Sequence, residues 1–252
     1  MRIQYISDIH LEFYDEKETI RLLRNIEPQT NICVLAGDIG YPFQRTYKIF
    51  LCGMSKKFEH IFLIHGNHEY YQFSENRNKT MKEIYDKTNR IIEKNNLQNI
   101  HFLHNSYYDL DEYRFIGSIL WTKIEDPNYL SNDYNKIYEA SIDELNEMHE
   151  NNKIYLSEAI EEANNLNKKV IMITHHLPSY KLNHPKYARY YRYHQCFSSH
   201  SDNLIRDPVK LWIFGHTHSN MEMNINNIPC VCNPLGYPDE NNDIDLNKII
   251  EI

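Results

Sequence analysis

Five apolar segments of the sequence each end in residues that bind metal ions well in proteins. The segments, with the polar residues that follow them, are Arg2–Ser7 with Asp8 and His10, Asn31–Ala36 with Asp38, His60–Ile64 with Asn67 and His68, Lys169–Thr174 with His175 and His176, and Lys210–Phe214 with His216 and His218. Short apolar runs rich in β-branched residues predict buried strands. Because the carboxyl ends of strands in an α/β sheet meet at one edge, we expect these polar side chains in one cleft. The pattern therefore predicts an α/β fold with a functional site at the strand ends.

The donor atoms in this set are mixed. Carboxylate, amide and imidazole groups together suit manganese, iron or zinc better than magnesium, which prefers an all-oxygen site. Each residue could also have a purely local structural role. For example, a strand-end Asp often caps a helix or shapes a turn. However, polar residues occupy the same position after five separate strands. This repetition favours a shared metal site over five unrelated local roles.

The bulk composition limits the class of protein. The chain has 252 residues and a formal net charge of -8, and a negative field of that kind disfavours extended nucleic-acid binding. The five cysteines contain no Cys-x-x-Cys pair, which is typical of reduced thiols in an intracellular protein. No apolar run is long enough to cross a bilayer, so we expect a soluble, cytoplasmic protein without membrane contact. Nothing in the sequence specifies an oligomeric state.

The motifs around the polar residues, taken in order, resemble those of one enzyme family. They are Asp8-x-His10, Gly37-Asp38, Gly66-Asn67-His68-Glu69, a strand-end His, and Gly215-His216-x-His218. This series resembles the calcineurin-like metallophosphoesterases, and the resemblance spans almost the whole chain. It implies a two-sheet β-sandwich flanked by helices, with four layers in the order α/β/β/α.

The resemblance also implies a role for each residue. One cation would be held by Asp8, His10 and His218, a second by Asn67, His175 and His216, and Asp38 would bridge the two. Two divalent transition-metal ions, manganese or else iron, zinc or cobalt, would activate a hydroxide that attacks phosphorus. His68 would donate a proton to the leaving alkoxide, with Asp8 or Glu69 orienting its ring. His175 is preferred as the ligand because it directly follows the strand. His176 is the alternative, and would otherwise line the substrate pocket or cap the following loop.

One departure from the family narrows the substrate. Ser/Thr protein phosphatases carry an Asp-Arg pair shortly after the Gly-Asp motif, whereas Ile39-Gly40-Tyr41-Pro42 follows Asp38 here. We therefore expect a phosphodiesterase or phosphomonoesterase that is not a protein phosphatase, with a nucleotide among the candidate substrates. A nuclease, a nucleotide pyrophosphatase and a non-catalytic scaffold of the same fold are the alternatives. The scaffold is disfavoured because His68 and every ligand position are retained.

The chain is predicted to form a single domain over residues 1–252, because no repeat or low-complexity linker interrupts it. Residues 132–167 are predicted as a helical insert, made of two helices that separate near Asn151-Asn152. The domain would thus carry its variable parts as insertions around a shared core.

Residues 177–201 are predicted to form a lid over the cleft, because this long stretch between two strands has little apolar periodicity. In the lid, Arg189 and Arg192 would hold further phosphates, and Tyr190 would stack on a base. In the alternative interpretation, the tyrosines pack against helices and the charges are only solvated.

Overall fold

The computed structural model of the protein describes residues 1–240 and 244–252. Its strands are β1 (Arg2–Ile6), β2 (Ile32–Ala36), β3 (His60–Ile64), β4 (Ile100–Phe102), β5 (Ser106–Leu110), β6 (Tyr113–Ser118), β7 (Lys169–Thr174), β8 (Val209–Phe214), β9 (Met221–Ile225), β10 (Ile228–Cys232) and β11 (Ile249–Glu251). Its α-helices are α1 (Glu16–Asn25), α2 (Arg45–Ser55), α3 (Met81–Lys94), α4 (Asp133–Lys136) and α5 (Ile142–Asn165). Further 3-10 helices lie at Leu11–Phe13, His68–Tyr70, Ser74–Asn76, Tyr180–Leu182, Pro185–Cys196 and Asp202–Leu204. Within the described residues, no helix combines the length and the apolar character that a bilayer crossing requires.

The strands form two mixed sheets. The first has the order β11-β1-β2-β3-β4 and is parallel except for β11 at its edge. The second has the order β5-β6-β7-β8-β10-β9, with an antiparallel strand at each edge. Parallel neighbours need long crossovers, and α1, α2, α3 and α5 lie in these crossovers. The helices are therefore carried to the outer faces of the sheets.

Alternating side chains give each sheet two apolar faces. In β2, Val34 belongs to a buried cluster between the sheets, whereas Leu35 belongs to a cluster with residues of α1 and α2. Between the sheets, the rings of Phe62 and Phe115 stack with their centroids 3.8 Å apart. Leu156 of α5 belongs to a third cluster, with residues of β7 and β8. These clusters confirm the predicted two-sheet sandwich with helices on both outer faces.

Three of the crossover helices begin at a capping box. In this motif, a side-chain acceptor and a Glu three residues later satisfy N–H groups that a helix start leaves free. The pairs are Asp15 with Glu18, Thr80 with Glu83, and Ser141 with Glu144. Loss of such a cap costs about 1 kcal/mol, so local sequence fixes where these helices begin.

The predicted break in the helical insert is wrong. Helix α5 runs without interruption through Asn151 and Asn152 to Asn165. Asn152 is buried, accepts a hydrogen bond from the backbone N–H of Trp121 (3.0 Å) and donates one to Asn105 Oδ1 (3.1 Å). A tertiary contact thus explains an Asn in the helix interior, and local propensity does not encode that contact. Strand β5 is not among the predicted strands. Its residues alternate between half-buried and exposed, so it lacks the buried apolar run from which the other strands are predicted.

Candidate metal centre

The seven predicted ligands lie together in the loops that follow β1, β2, β3, β7 and β8. They are Asp8, His10, Asp38, Asn67, His175, His216 and His218. His216 and His218 are half-buried, and the other five side chains are buried. The strand ends of both sheets therefore meet at one polar cleft.

Asp8, His10 and His218 form the first group of potential ligands. One ligand atom from each lies within 4.8 Å of the other two. His218 Nε2 is 3.0 Å from His10 Nε2 and 3.5 Å from Asp8 Oδ1. Ligand atoms bound to one ion at about 2.0–2.2 Å are themselves roughly 3–3.5 Å apart, so these three donors can share an ion.

Asp38, His175 and His216 form the second group, again with ligand atoms within 4.8 Å of one another. His175 Nε2 is 3.2 Å from Asp38 Oδ2 and 3.0 Å from Asn67 Oδ1. Asp38 Oδ2 is also 4.0 Å from His10 Nε2, so this carboxylate lies between the two groups. His216 Nε2 is buried and has no hydrogen-bond partner within the described part of the chain.

The neighbouring histidines His175 and His176 occupy different surroundings. His175 contributes to the second group, whereas His176 belongs to none of the three-residue groups found among the described residues. His176 is fully buried, its Nδ1 lies 3.3 Å from the Ile119 carbonyl oxygen, and its ring packs near Trp121. It does not line the cleft, so its position gives no support to the predicted substrate contact.

Three of the histidines have the other ring nitrogen held by an acceptor. The contacts are His10 Nδ1 to Glu12 Oε1 (3.0 Å), His218 Nδ1 to Glu240 Oε2 (2.5 Å) and His175 Nδ1 to the Ala36 carbonyl oxygen (3.0 Å). An imidazole that donates from Nδ1 presents the lone pair of Nε2 as a ligand. Metal-binding histidines usually have such a partner. Together with the unpartnered Nε2 of His216, these contacts give a donor set that fits divalent cations.

The carboxylates and imidazoles shift one another's pKa values. Burial alone would lower the pKa of His175, but Asp38 outweighs it and the pKa is raised to about 10. Burial also opposes protonation of His218, whereas Asp8 and then Glu240 raise its pKa to about 9. Burial would raise the pKa of Asp38, yet the surrounding histidines, His175 first, hold it well below its usual range. The carboxylates therefore create a potential that favours positive charge here.

The backbone at the site is strained. Residues in the left-handed region, with φ between 44° and 69°, are Asp8, His10, Asp38, His216 and His218. This region costs a non-glycine residue of order 1–3 kcal/mol and is found mainly where surrounding structure enforces it. At Gly66, a Cβ atom would lie 2.2 Å from Asp38 Oδ1. The loop after β3 therefore lies so close to that carboxylate that only glycine fits at this position. Strain concentrated at strand ends is typical of a functional site.

Glu69 does not orient His68, contrary to one prediction. Its buried carboxylate accepts backbone N–H groups from Asp38 (3.1 Å) and Gly66 (2.8 Å), and so joins the loops after β2 and β3. Burial, and then the charge of Asp38, raise the pKa of Glu69 to about 8. Asp8 is the other candidate for orienting His68. Its carboxylate accepts a hydrogen bond from a backbone N–H in the loop after β8 (2.9 Å).

Glu12 holds the His68 ring instead. Its Oε1 lies 2.9 Å from His68 Nδ1 and 3.0 Å from His10 Nδ1. On the other side of the ring, His68 Nε2 is 3.0 Å from the hydroxyl of Tyr237. Neither Glu12 nor Tyr237 is among the predicted site residues. In the sequence, the one feature that points to Glu12 is its position as an acidic residue two places after His10.

The site opens into a cavity of about 360 Å³ that the predicted lid helps to line. The lid residues on its wall are Asn183, Tyr187, Tyr193, Cys196 and Phe197. By contrast, Arg189, Tyr190 and Arg192 are exposed and do not line the cavity. Arg192 donates hydrogen bonds to the hydroxyls of Tyr129 and Tyr191, and the Arg189 guanidinium lies 4.7 Å from the Tyr190 ring centroid. The lid therefore brings aromatic rings, rather than the predicted cations, to the cleft.

Comparisons with known proteins agree with this geometry. Uncharacterized protein L509 of Acanthamoeba polyphaga mimivirus is 32% identical over 282 residues, which cover 100% of this chain and 97% of that protein. Phosphopantetheinyl hydrolase (PptH) from Mycobacterium tuberculosis has a TM-score of 0.71 at 14% identity, over 94% of this chain and 89% of its own. A dimetal phosphatase from Danio rerio has a TM-score of 0.50 at 13% identity, over 92% of this chain and 86% of its own.

At these low identities the solved structures show a shared fold, that of metallophosphoesterases. The sequence itself matches a family model described as calcineurin-like phosphoesterase over residues 1–220. That range contains the loops after β1, β2, β3, β7 and β8, which hold every predicted ligand. The chain therefore belongs to the calcineurin-like phosphoesterase family.

Proposed function

We propose that this family member hydrolyses phosphate esters with two divalent transition-metal ions. One ion would be held by Asp8, His10 and His218, the other by Asn67, His175 and His216, with Asp38 as the bridge. The observation that carries the proposal is the position of Asp38 Oδ2, 4.0 Å from His10 Nε2 and 3.2 Å from His175 Nε2. A carboxylate between two groups of donors is the arrangement that a two-metal site requires.

When bound, the ions would supply positive charge that lowers the pKa of water from about 15.7 to about 7 and neutralises phosphate oxygens. The protein's own part is to hold the donors in place. Glu12, Glu240 and the Ala36 carbonyl fix three of the imidazoles, so these rings need not reorient when a cation binds. Asp8 and Asp38 follow strands of the first sheet, whereas His175 and His216 follow strands of the second, so both sheets supply donors.

His68 is assigned as the general acid. Its Nε2 faces the cleft, where it contacts the Tyr237 hydroxyl, and its Nδ1 contacts the Glu12 carboxylate. The Glu12 contact holds the ring in place, so that a proton on Nε2 can pass to the oxygen of the leaving alcohol. General acid catalysis of this kind contributes roughly 10²–10⁴-fold to the rate.

We also propose that residues 1–252 act as one domain in which residues 177–201 are a lid and residues 132–167 an insert. The pairing of β11 with β1 supports this, since it joins the two ends of the chain in one sheet. Contacts between the lid and the segment before α4 support it too: Gln195 accepts backbone N–H groups from Glu125 (2.9 Å) and Asp126 (3.0 Å).

The test is hydrolysis of bis-p-nitrophenyl phosphate and p-nitrophenyl phosphate by protein reconstituted with manganese. Asp38→Asn removes the charge of the bridge while keeping its size. The matched control is Asp86→Asn, because Asp86 is a half-exposed carboxylate on α3 that pairs with Lys82 and lies outside the ligand loops.

Turnover that survives in the Asp86 variant and disappears in the Asp38 variant is the expected result, and the faster ester separates diesterase from monoesterase. Equal rates for the wild-type protein and Asp38→Asn would contradict the two-metal mechanism. A wild-type protein that binds two equivalents of manganese and turns over neither ester would favour either a strict requirement for the natural substrate or the non-catalytic scaffold.

A further inference from the structure

Three kinds of residue line the cleft. One kind belongs to the metal centre and includes Asp38, Asn67, His68, His216 and His218. A second kind consists of large apolar or aromatic side chains, namely Tyr71, Leu130, Tyr187, Tyr193, Phe197 and Tyr237. The third kind consists of polar side chains outside the metal centre, which include Ser131, Asn132, Asn183 and Thr217. The volume of about 360 Å³ lies within the range of small-molecule sites, roughly 300–1,000 Å³.

The cleft has an unusual charge distribution for an enzyme that handles phosphates. None of the described residues that line it is a Lys or an Arg. Two carboxylates line it outside the metal groups: Asp133, which is buried, and Glu240, which contacts His218. Sites for several phosphates normally use Arg or Lys for each added phosphate. A second anionic group on the substrate would therefore meet like charge, with no Lys or Arg among the described lining residues to compensate it.

The aromatic wall reaches the metal centre directly. The ring centroid of Phe197 is 5.2 Å from that of His216. The Tyr187 ring is parallel to Phe197 within 4°, with centroids 6.4 Å apart. Phe197 and Tyr193 keep 39% and 40% of their surface exposed, so their apolar faces are not used in the protein core. Such faces are surfaces on which a planar group stacks favourably.

We infer that the substrate is an ester with a single phosphoryl group, whose organic part is a planar ring that carries no negative charge. This inference rests on the proposed function and names the substrate class of the same site. The phosphoryl group would lie at the metal centre and the ring against Phe197 and Tyr187. Polyphosphates and esters with a further carboxylate would bind more weakly, because Asp133 and Glu240 would repel the second anionic group.

The experiment measures binding of three phosphonates to the manganese-loaded protein by isothermal titration calorimetry. The probes are methylphosphonate, benzylphosphonate and 4-carboxybenzylphosphonate, which share one phosphoryl group and cannot be hydrolysed as esters. Stacking of one ring on an aromatic side chain is worth enough for benzylphosphonate to bind about tenfold more tightly than methylphosphonate. The carboxylate of the third probe should weaken binding by about tenfold relative to benzylphosphonate.

Phe197→Ala should remove the advantage of benzylphosphonate and leave methylphosphonate unchanged, and Tyr187→Ala tests the same wall if the first variant does not fold. Tyr191→Ala is the matched control, because Tyr191 lies in the same lid, is 63% exposed and does not line the cleft. Equal Kd values for the methyl and benzyl probes, tightest binding of the carboxylated probe, or no binding of any probe would overturn the inference. Because no turnover is needed, an inactive protein that still prefers the benzyl probe would contradict the proposed function alone.

Discussion

The Nδ1 atom of His68 lies 2.9 Å from Oε1 of Glu12, and the same oxygen lies 3.0 Å from Nδ1 of His10. One buried side chain thus contacts both a proposed metal ligand and the proposed general acid. Oε1 makes both contacts, whereas the second carboxylate oxygen, Oε2, is buried without a hydrogen-bond partner in the described structure. Because such partners set the tautomer and the ring orientation, the two histidines are oriented by a common group.

Glu12→Gln should slow hydrolysis most for substrates with poor leaving groups. The amide is a weaker, uncharged acceptor that holds the His68 ring less firmly, and p-nitrophenolate departs without needing a proton from that ring. We expect kcat/KM to fall by about 10–100-fold for an unactivated phenyl ester and less for the p-nitrophenyl ester. The measurement is a series of substituted phenyl phosphates with manganese-loaded enzyme.

Glu16→Gln is the control for this series, since Glu16 is a half-exposed residue of α1 that pairs with Arg45. A double-mutant cycle with His68→Asn adds a second readout. If Glu12 acts through His68, the dependence on the leaving group should already be lost in the single His68 variant and change little in the double variant. A uniform loss across all leaving groups would show that Glu12 acts only on the metal-binding side.

Removal of divalent cations should lower the melting temperature of the wild-type protein. A ligand that binds only the native state adds about 2.7 kcal/mol of stability at a hundred times its Kd. In addition, Asp8 and Asp38 are buried carboxylates whose repulsion a cation would relieve. Asp38→Asn should therefore show a much smaller shift on addition of EDTA, measured by differential scanning fluorimetry alongside the metal content. Identical shifts in both proteins would place the stabilising ion elsewhere.

Gly66→Ala should reduce activity and stability together. Its Cβ atom would lie 2.2 Å from Asp38 Oδ1 and 2.7 Å from the Asp38 backbone nitrogen, so Asp38 itself would have to move. Gly53→Ala in α2 is the matched control, because its Cβ atom meets only the flexible end of Leu23, and alanine favours the helix. Activity and melting curves of both variants provide the check, and a fully active Gly66 variant would contradict the close packing around the bridge.

Much of the fold and the grouping of the ligands could be predicted because the signals are local. Each of Asp8, Asp38 and His175 follows a buried apolar strand within two residues, and parallel strand ends meet by geometry. Tyr237 and Glu240 could not be found in this way. They come after β10, far from the motifs in sequence, and reach the site only because the C-terminal segment folds back over His68 and His218.

The lid shows a second limit of sequence reasoning. Composition identified a basic, aromatic segment but not which side chains face the cleft. In a regular 3-10 helix, residues three apart lie on one face, so Tyr187, Tyr190 and Tyr193 would point together. The backbone kinks at Tyr190 (φ -102°, ψ 29°), and Tyr187 and Tyr193 line the cleft while Tyr190 does not. A single dihedral change of this kind leaves no mark in the composition.

Asp133 in α4 is a further site residue that the sequence did not reveal, and it yields a prediction about Asn67. Its Oδ1 accepts hydrogen bonds from Asn67 Nδ2 (2.7 Å) and from the Tyr71 hydroxyl (2.8 Å). With its NH₂ group held there, the Asn67 amide turns Oδ1 toward His175 Nε2, 3.0 Å away. The insert thus fixes which amide atom faces the metal centre.

Asp133→Ala should release the Asn67 amide and weaken metal binding by about 10–100-fold, as loss of an outer partner typically does. Asp133→Asn keeps an acceptor oxygen and should retain most of the affinity, which makes it the conservative control. Manganese affinity of both variants can be measured by competition with a chelator of known affinity, with melting curves to confirm that each remains folded. Because the effect runs through one amide, wild-type affinity in a folded Asp133→Ala protein would mean that Asn67 does not bind the ion through Oδ1.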